Sequence, residues 1–109
     1  MNEIKYFVKA APDDWLNPIE RGWGNGYVVL PPGHPWHGVD YDEINVDVHG
    51  GLTFSRAANN LSWSEIEPDW LDGWVIGWDT AHFDDSLEEW PKERVIEQTL
   101  YLLQQCENA

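Results

Sequence analysis

The sequence has few basic residues and almost no cysteine. Among its 109 residues, 6 are Lys or Arg and 20 are Asp or Glu, which gives a formal net charge of −14 at pH 7. Binding to a nucleic-acid backbone needs cations that neutralise phosphates, so this composition argues against direct nucleic-acid binding. The single cysteine, Cys106, cannot form an internal disulfide or build a cysteine-rich zinc site.

Long apolar runs are also missing. The longest apolar stretches resemble Tyr27–Leu30, far short of the roughly 20 residues that a membrane-spanning helix requires. The first residues lack the basic region and apolar stretch of a secretory signal. We therefore expect no membrane association and a cytoplasmic location.

What the chain does contain is enough apolar and aromatic material for a core. Hydrophobic residues make up 42% of the chain, and 8 residues are tryptophan. This composition is typical of a folded protein despite the high charge. At this length we expect one domain over residues 1–109.

Alternating apolar residues predict several short strands. In the central segment, Val46 and Val48 alternate with polar residues, and Gly50-Gly51 then allows a tight turn into a partner strand. The predicted strands are residues 3–9 at an edge, Tyr27–Leu30, residues 45–49, residues 52–55, and the segment of Trp74, Ile76 and Trp78.

The end of the chain predicts a helix. Ser86 to Glu89 has the spacing of a capping box, and Pro91 suits a first helical turn. Apolar residues recur at helical spacing from there on: Val95, Ile96, Thr99, Leu100, Leu103 and Cys106. The predicted fold class is α+β, a small antiparallel β-sheet with a C-terminal helix packed on one face.

Histidine and aspartate residues mark the candidate site. If Val46 and Val48 face the core, the alternation of a strand turns Asp47 and His49 away from it. Asp79 alternates in the same way with Trp74, Ile76 and Trp78. We therefore assign His49, Asp47 and Asp79 as candidate catalytic residues, and His82 follows within reach.

A divalent metal is the cofactor that this grouping favours. Two imidazoles and a carboxylate can hold Zn²⁺ and activate water, which assigns His49, His82 and Asp79 as candidate ligands. The spacing matches no established metal motif, so acid–base or ligand-binding chemistry without metal, and hydrogen bonds that only fix loops, stay open. The candidate ligand-binding residues are His34, Trp36, His82, Gly50 and Gly51.

Three blocks of the sequence resemble a family of small uncharacterised proteins from phages, prophages and bacteria. They are GYVVLPPGHP at 26–35, VDVHGGLTFS at 46–55 and GWDTAHFDD at 77–85. The resemblance implies an accessory protein of a bacterial mobile element. It implies no particular reaction.

Two functions from different classes follow. The first is a His/Asp site that binds a metal or a small, nucleotide-like molecule and has hydrolysis as its possible reaction. The second is an acidic interaction protein, such as an anti-defence inhibitor or a nucleic-acid mimic, whose negative surface attracts a basic protein partner. The sequence alone leaves open whether the protein is an enzyme.

Overall fold

Four strands and one helix form the fold in the computed structural model, which describes residues 1–12 and 21–109. The strands are β1 (Lys5–Ala10), β2 (Gly24–Leu30), β3 (Phe54–Ala57) and β4 (Trp74–Trp78), and the helix is α1 (Lys92–Glu107). All three strand pairings are antiparallel, in the order β1-β2-β4-β3. Helix α1 packs against β1 and β2. The predicted α+β class is therefore confirmed.

Both faces of the sheet are covered, which explains why β2 is apolar on both sides. Val28 and Leu30 point to the face that carries α1, whereas Tyr27 and Val29 point to the opposite face. The connection between β3 and β4 covers that second face with Ala58 and Trp70, among others. A central strand that is buried on both faces loses the alternation of polar and apolar residues. The described residues include no helix with the length and hydropathy needed to cross a membrane.

Helix α1 follows the predicted spacing, with a different start. Its buried residues are Val95, Thr99, Leu102 and Cys106, spaced three or four apart, and Leu100 is exposed. Ser86 Oγ accepts the Glu89 N–H at 3.2 Å, as a capping box predicts, but this bond closes a turn that precedes the helix, so the predicted helix start is wrong. The residue at the N-cap is Pro91.

The prediction of a strand over residues 45–49 is also wrong. Val48 is buried and Val46 is partly buried in the core under α1, as the alternation predicted, but none of the four described strands pairs with this segment. Glutamine side chains of α1 supply hydrogen bonds instead: the Asp47 N–H donates to Gln105 Oε1 at 2.8 Å, and the Gln105 amide donates to the Asp47 carbonyl at 2.8 Å. Of the predicted partner strand at residues 52–55, only Phe54 and Ser55 lie in a strand, β3, and this strand pairs with β4 instead of residues 45–49.

Candidate metal centre

The first side of the candidate site is the turn that follows the segment bound to α1. The His49 N–H donates to Gln98 Oε1 at 2.9 Å, so α1 fixes the backbone of the histidine. The turn closes when the Gly51 N–H donates to the Val48 carbonyl at 2.9 Å. Gly50 has a φ of +70°, and a Cβ there would lie 2.5 Å from the His82 ring. Glycine is therefore required at position 50 for both backbone and steric reasons.

The second side is the loop that leaves β4. Thr80 anchors it, since its hydroxyl donates to the Gly24 carbonyl at 2.7 Å. A β-turn then closes as the Asp85 N–H donates to the His82 carbonyl at 3.0 Å, with Asp84 at a φ of 74°. Phe83 stands at the tip of this turn with 95% of its surface exposed. The turn directs His82 and Asp85 to the same place.

The two sides meet in a cluster of His49, His82 and Asp85, which we call the His-His-Asp cluster. Nε2 of His49 lies 2.8 Å from Oδ1 of Asp85, and Nδ1 of His82 lies 3.0 Å from Oδ2. The two imidazole rings are 5.3 Å apart and nearly perpendicular. One ligand atom from each of the three residues lies within 4.8 Å of the others, so the cluster has the composition and size to hold a metal ion.

Asp85 is the buried centre of this cluster, with 4% of its side chain exposed. Burial by itself raises the pKa of its carboxyl. The hydrogen bonds from the His82 backbone and from the imidazoles of His49 and His82 outweigh that effect, and the pKa is lowered from its ordinary value. The carboxyl is therefore ionised at neutral pH and offers a negative charge between two imidazoles.

Aromatic rings line one side of the cluster. The ring centroid of Trp90 lies 4.3 Å from that of His49. The rings of Trp78 and His49 meet edge to face, with their centroids 6.2 Å apart. The other side is accessible, because His49 keeps 28% and His82 keeps 33% of its side chain exposed. The cluster thus contacts aromatic rings on one side and solvent on the other.

Asp79 lies behind His82 rather than inside the cluster. Its Oδ1 is 3.6 Å from Nε2 of His82 and accepts the Ala81 N–H at 3.0 Å. Its Oδ2 accepts the hydroxyl hydrogen bond of Thr53 at 2.8 Å. The carboxylate predicted as a metal ligand therefore contacts the outer nitrogen of a cluster histidine.

The structure places Asp47 and Gly51 away from these contacts. Oδ2 of Asp47 accepts a hydrogen bond from the Tyr101 hydroxyl at 3.2 Å, and this contact raises the pKa of the tyrosine. A Cβ added to Gly51 would meet no atom within 4 Å, so this glycine faces open space. Asp47 fastens the segment to α1, and Gly51 shapes the turn.

His34 and Trp36 lie near the other end of α1. Nδ1 of His34 accepts the Trp36 N–H at 3.0 Å, so its proton is on Nε2, which lies 2.8 Å from the Cys106 carbonyl. This bond satisfies a carbonyl in the last turn of the helix. His49 is bonded at Gln98, about 12 Å earlier along the helix axis. The structure does not bring His34 and Trp36 to the His-His-Asp cluster.

Asp85 is the cluster residue that the sequence interpretation missed. Its signal is the His82-x-x-Asp85 spacing, because the first and last residues of a β-turn lie close together. The neighbouring Asp84 has the same side chain, and only the conformation of the turn decides which carboxylate faces the histidines.

Comparison of the chain with models of known protein families, with curated proteins and with solved structures found no match in any of the three. The resemblance to phage and prophage proteins therefore stays a prediction.

Proposed function

We propose that this protein binds a divalent transition-metal ion, zinc or one with similar ligand preferences, at His49, His82 and Asp85. The observation that carries the proposal is the convergence of two imidazoles and an ionised carboxylate within 4.8 Å. Imidazole nitrogen with carboxylate oxygen is a ligand set that suits zinc and its neighbours, whereas Ca²⁺ and Mg²⁺ prefer oxygen alone.

The two nitrogen–oxygen distances in the cluster are slightly shorter than those of a zinc site. Ligand atoms about 2.1 Å from a tetrahedral zinc ion lie about 3.4 Å from one another. Nε2 of His49 and Nδ1 of His82 lie 2.8 Å and 3.0 Å from the two oxygens of Asp85, so an ion requires an expansion of about half an ångström. Both histidines sit on loops, which can supply that expansion.

Three protein ligands leave one position of a tetrahedral ion for water. Structural zinc sites use four protein ligands, and sites that activate water use three. Because the histidines are partly exposed, a bound ion meets solvent on that side. Zinc lowers the pKa of bound water to about 7, which makes hydrolysis of a small substrate the reaction class that we propose.

Metal titration of the purified chain tests the proposal. After treatment with a chelator, we expect one equivalent of Zn²⁺ or Co²⁺ to bind per chain by calorimetry, and the variants His49→Ala and Asp85→Asn to lose this binding. His37→Ala is the matched control, because His37 Nε2 contacts the Asp72 carbonyl and is not part of the cluster. A wild-type chain that binds no ion, or a control that loses as much affinity as His49→Ala, contradicts the proposal.

A further inference from the structure

His82 lies between two carboxylates, one on each side of its ring. Nδ1 is within hydrogen-bond distance of Asp85 Oδ2, at 3.0 Å, whereas Nε2 is 3.6 Å from Asp79 Oδ1, an ion-pair contact slightly longer than a hydrogen bond. A neutral imidazole carries only one N–H, so it can donate to only one of these two carboxylates. The nitrogen that keeps the proton decides which nitrogen is free to bind a metal.

The Asp79 carboxylate is held in place from two directions. The Thr53 hydroxyl donates to Oδ2 at 2.8 Å, and the Ala81 N–H donates to Oδ1 at 3.0 Å. Thr53 is itself fixed to the end of β4, because its N–H donates to the Gly77 carbonyl at 2.9 Å. Asp79 is thus a fixed acceptor that faces the outer nitrogen of His82.

Resting on the proposed metal function, we propose that Asp79 is a positioning residue that accepts the Nε2–H of His82 and so directs Nδ1 to the ion. Histidines that bind metals commonly donate their other ring N–H to a carboxylate, which fixes the tautomer and the ring orientation. Asp79 acts through His82 and is not itself a ligand. Its oxygens are outside the set of three ligand atoms that converge.

The proposal also assigns a role to Thr53. By donating to Oδ2, its hydroxyl fixes the carboxylate so that Oδ1 faces the imidazole. Thr53, at the end of the sheet, therefore fixes the orientation of Asp79, and Asp79 in turn fixes the ring of the ligand His82. Removal of the Thr53 hydroxyl or of the Asp79 carboxylate therefore weakens metal binding without removing a ligand.

Asp79→Asn is the first test, measured by competition between the protein and a chelator for Zn²⁺. Losses of 10–100-fold in metal affinity are typical when such a partner is removed, and we expect a loss in this range. Glu67→Gln is the matched control, since it removes the same charge from an exposed residue on the connection between β3 and β4. Thr53→Val keeps the carboxylate, and we expect a smaller loss in the same direction.

Nitrogen NMR of the imidazole rings in the zinc-loaded wild-type protein provides a readout that a purely structural role leaves unchanged. We expect His82 bound through Nδ1 with its proton on Nε2. The Co²⁺ spectrum of saturated Asp79→Asn is expected to match that of the wild type, because the ligands are the same.

The outcomes separate this inference from the proposed function. If wild type binds zinc and Asp79→Asn binds it equally well, or if His82 binds through Nε2, the role of Asp79 is overturned and the metal site stands. If the Co²⁺ bands of Asp79→Asn differ from those of wild type, Asp79 is a ligand and the positioning role is likewise overturned. If the wild type binds no metal, both proposals fail.

Discussion

Single residues decide the geometry of the His-His-Asp cluster, and the two glycines of the turn after Val48 separate two effects. Gly50 and Gly51 both have positive φ angles, of 70° and 77°. Only at Gly50 would a Cβ contact the His82 ring, whereas at Gly51 it would meet open space. The pair therefore distinguishes backbone strain from displacement of a ligand.

We expect Gly50→Ala and Gly51→Ala each to lower the free energy of unfolding by about 1–2 kcal/mol, because alanine is strained at positive φ. Gly50→Ala is expected to weaken Zn²⁺ binding as well, since its methyl group must push the His82 ring aside. Urea unfolding and zinc titration of both variants measure the two effects. Equal zinc affinity in the two variants refutes the assigned contact.

At the scale of elements, α1 forms hydrogen bonds to the backbone of residues 47–49 of the kind that a neighbouring strand supplies in a larger sheet. Side-chain amides at Gln98 and Gln105, seven residues apart on one face, bind the backbone at His49 and Asp47. These contacts satisfy backbone groups of a segment that pairs with none of the described strands. The helix thereby positions one of the two histidines of the cluster.

Gln98→Ala leaves the His49 N–H without its acceptor, and we expect the free energy of unfolding to fall by about 1–3 kcal/mol. Amide hydrogen exchange at His49 is expected to accelerate with it. Gln104→Ala is the control on the same helix, because Gln104 is exposed, and its effect is expected to stay within about 0.5 kcal/mol. Equal exchange rates at His49 in wild type and Gln98→Ala would show that the amide does not hold the segment.

Patterns within elements were predictable, and contacts between loops were not. The spacing of Val95, Thr99 and Cys106 identified the buried face of α1, and the aromatic alternation identified β4. The alternation of Val46 and Val48 with polar residues predicts a strand, but the segment that shows this alternation is bound by glutamine side chains of α1. A pattern of side chains reports which face is buried and cannot report what pairs with the backbone.

The same limit applies to the candidate site. His49 and His82 were selected from the sequence, and the structure brings them together. Strand alternation does not apply to His49, because this residue lies in a turn. The choice between Asp79 and Asp85 depends on how a loop closes, which periodicity does not encode.

At the scale of the whole molecule, nearly all the acidic side chains in residues 1–12 and 21–109 lie at the surface or are only partly buried. Asp85 is the only buried acidic residue in the part of the chain that the structure describes. Like charges at this density repel one another and destabilise the compact state, while they keep a tryptophan-rich protein soluble. The interaction function expected from the acidity stays a prediction, with salt-sensitive capture of a basic partner as its signature.

We expect the melting temperature of the wild-type chain to rise as NaCl increases from 10 to 500 mM. Over this range the distance at which surface charges repel one another falls from about 30 Å to a few ångströms. The double variant Glu93→Gln/Glu97→Gln is altered at two exposed positions of α1. We expect its melting temperature to be higher than that of the wild type at 10 mM NaCl and to rise less as salt is added. Differential scanning fluorimetry measures both. A melting temperature that falls with salt rules out net repulsion as the dominant electrostatic effect.

The attachment of residues 45–49 to α1 also sets an order of events during synthesis. His49 emerges from the ribosome long before Gln98 and Gln105, which fix its backbone. Domains form their long-range contacts only when the later partner is available. We therefore expect a nascent chain halted before α1 to carry both histidines without a formed cluster, so that an ion binds at the proposed site only after the helix has docked.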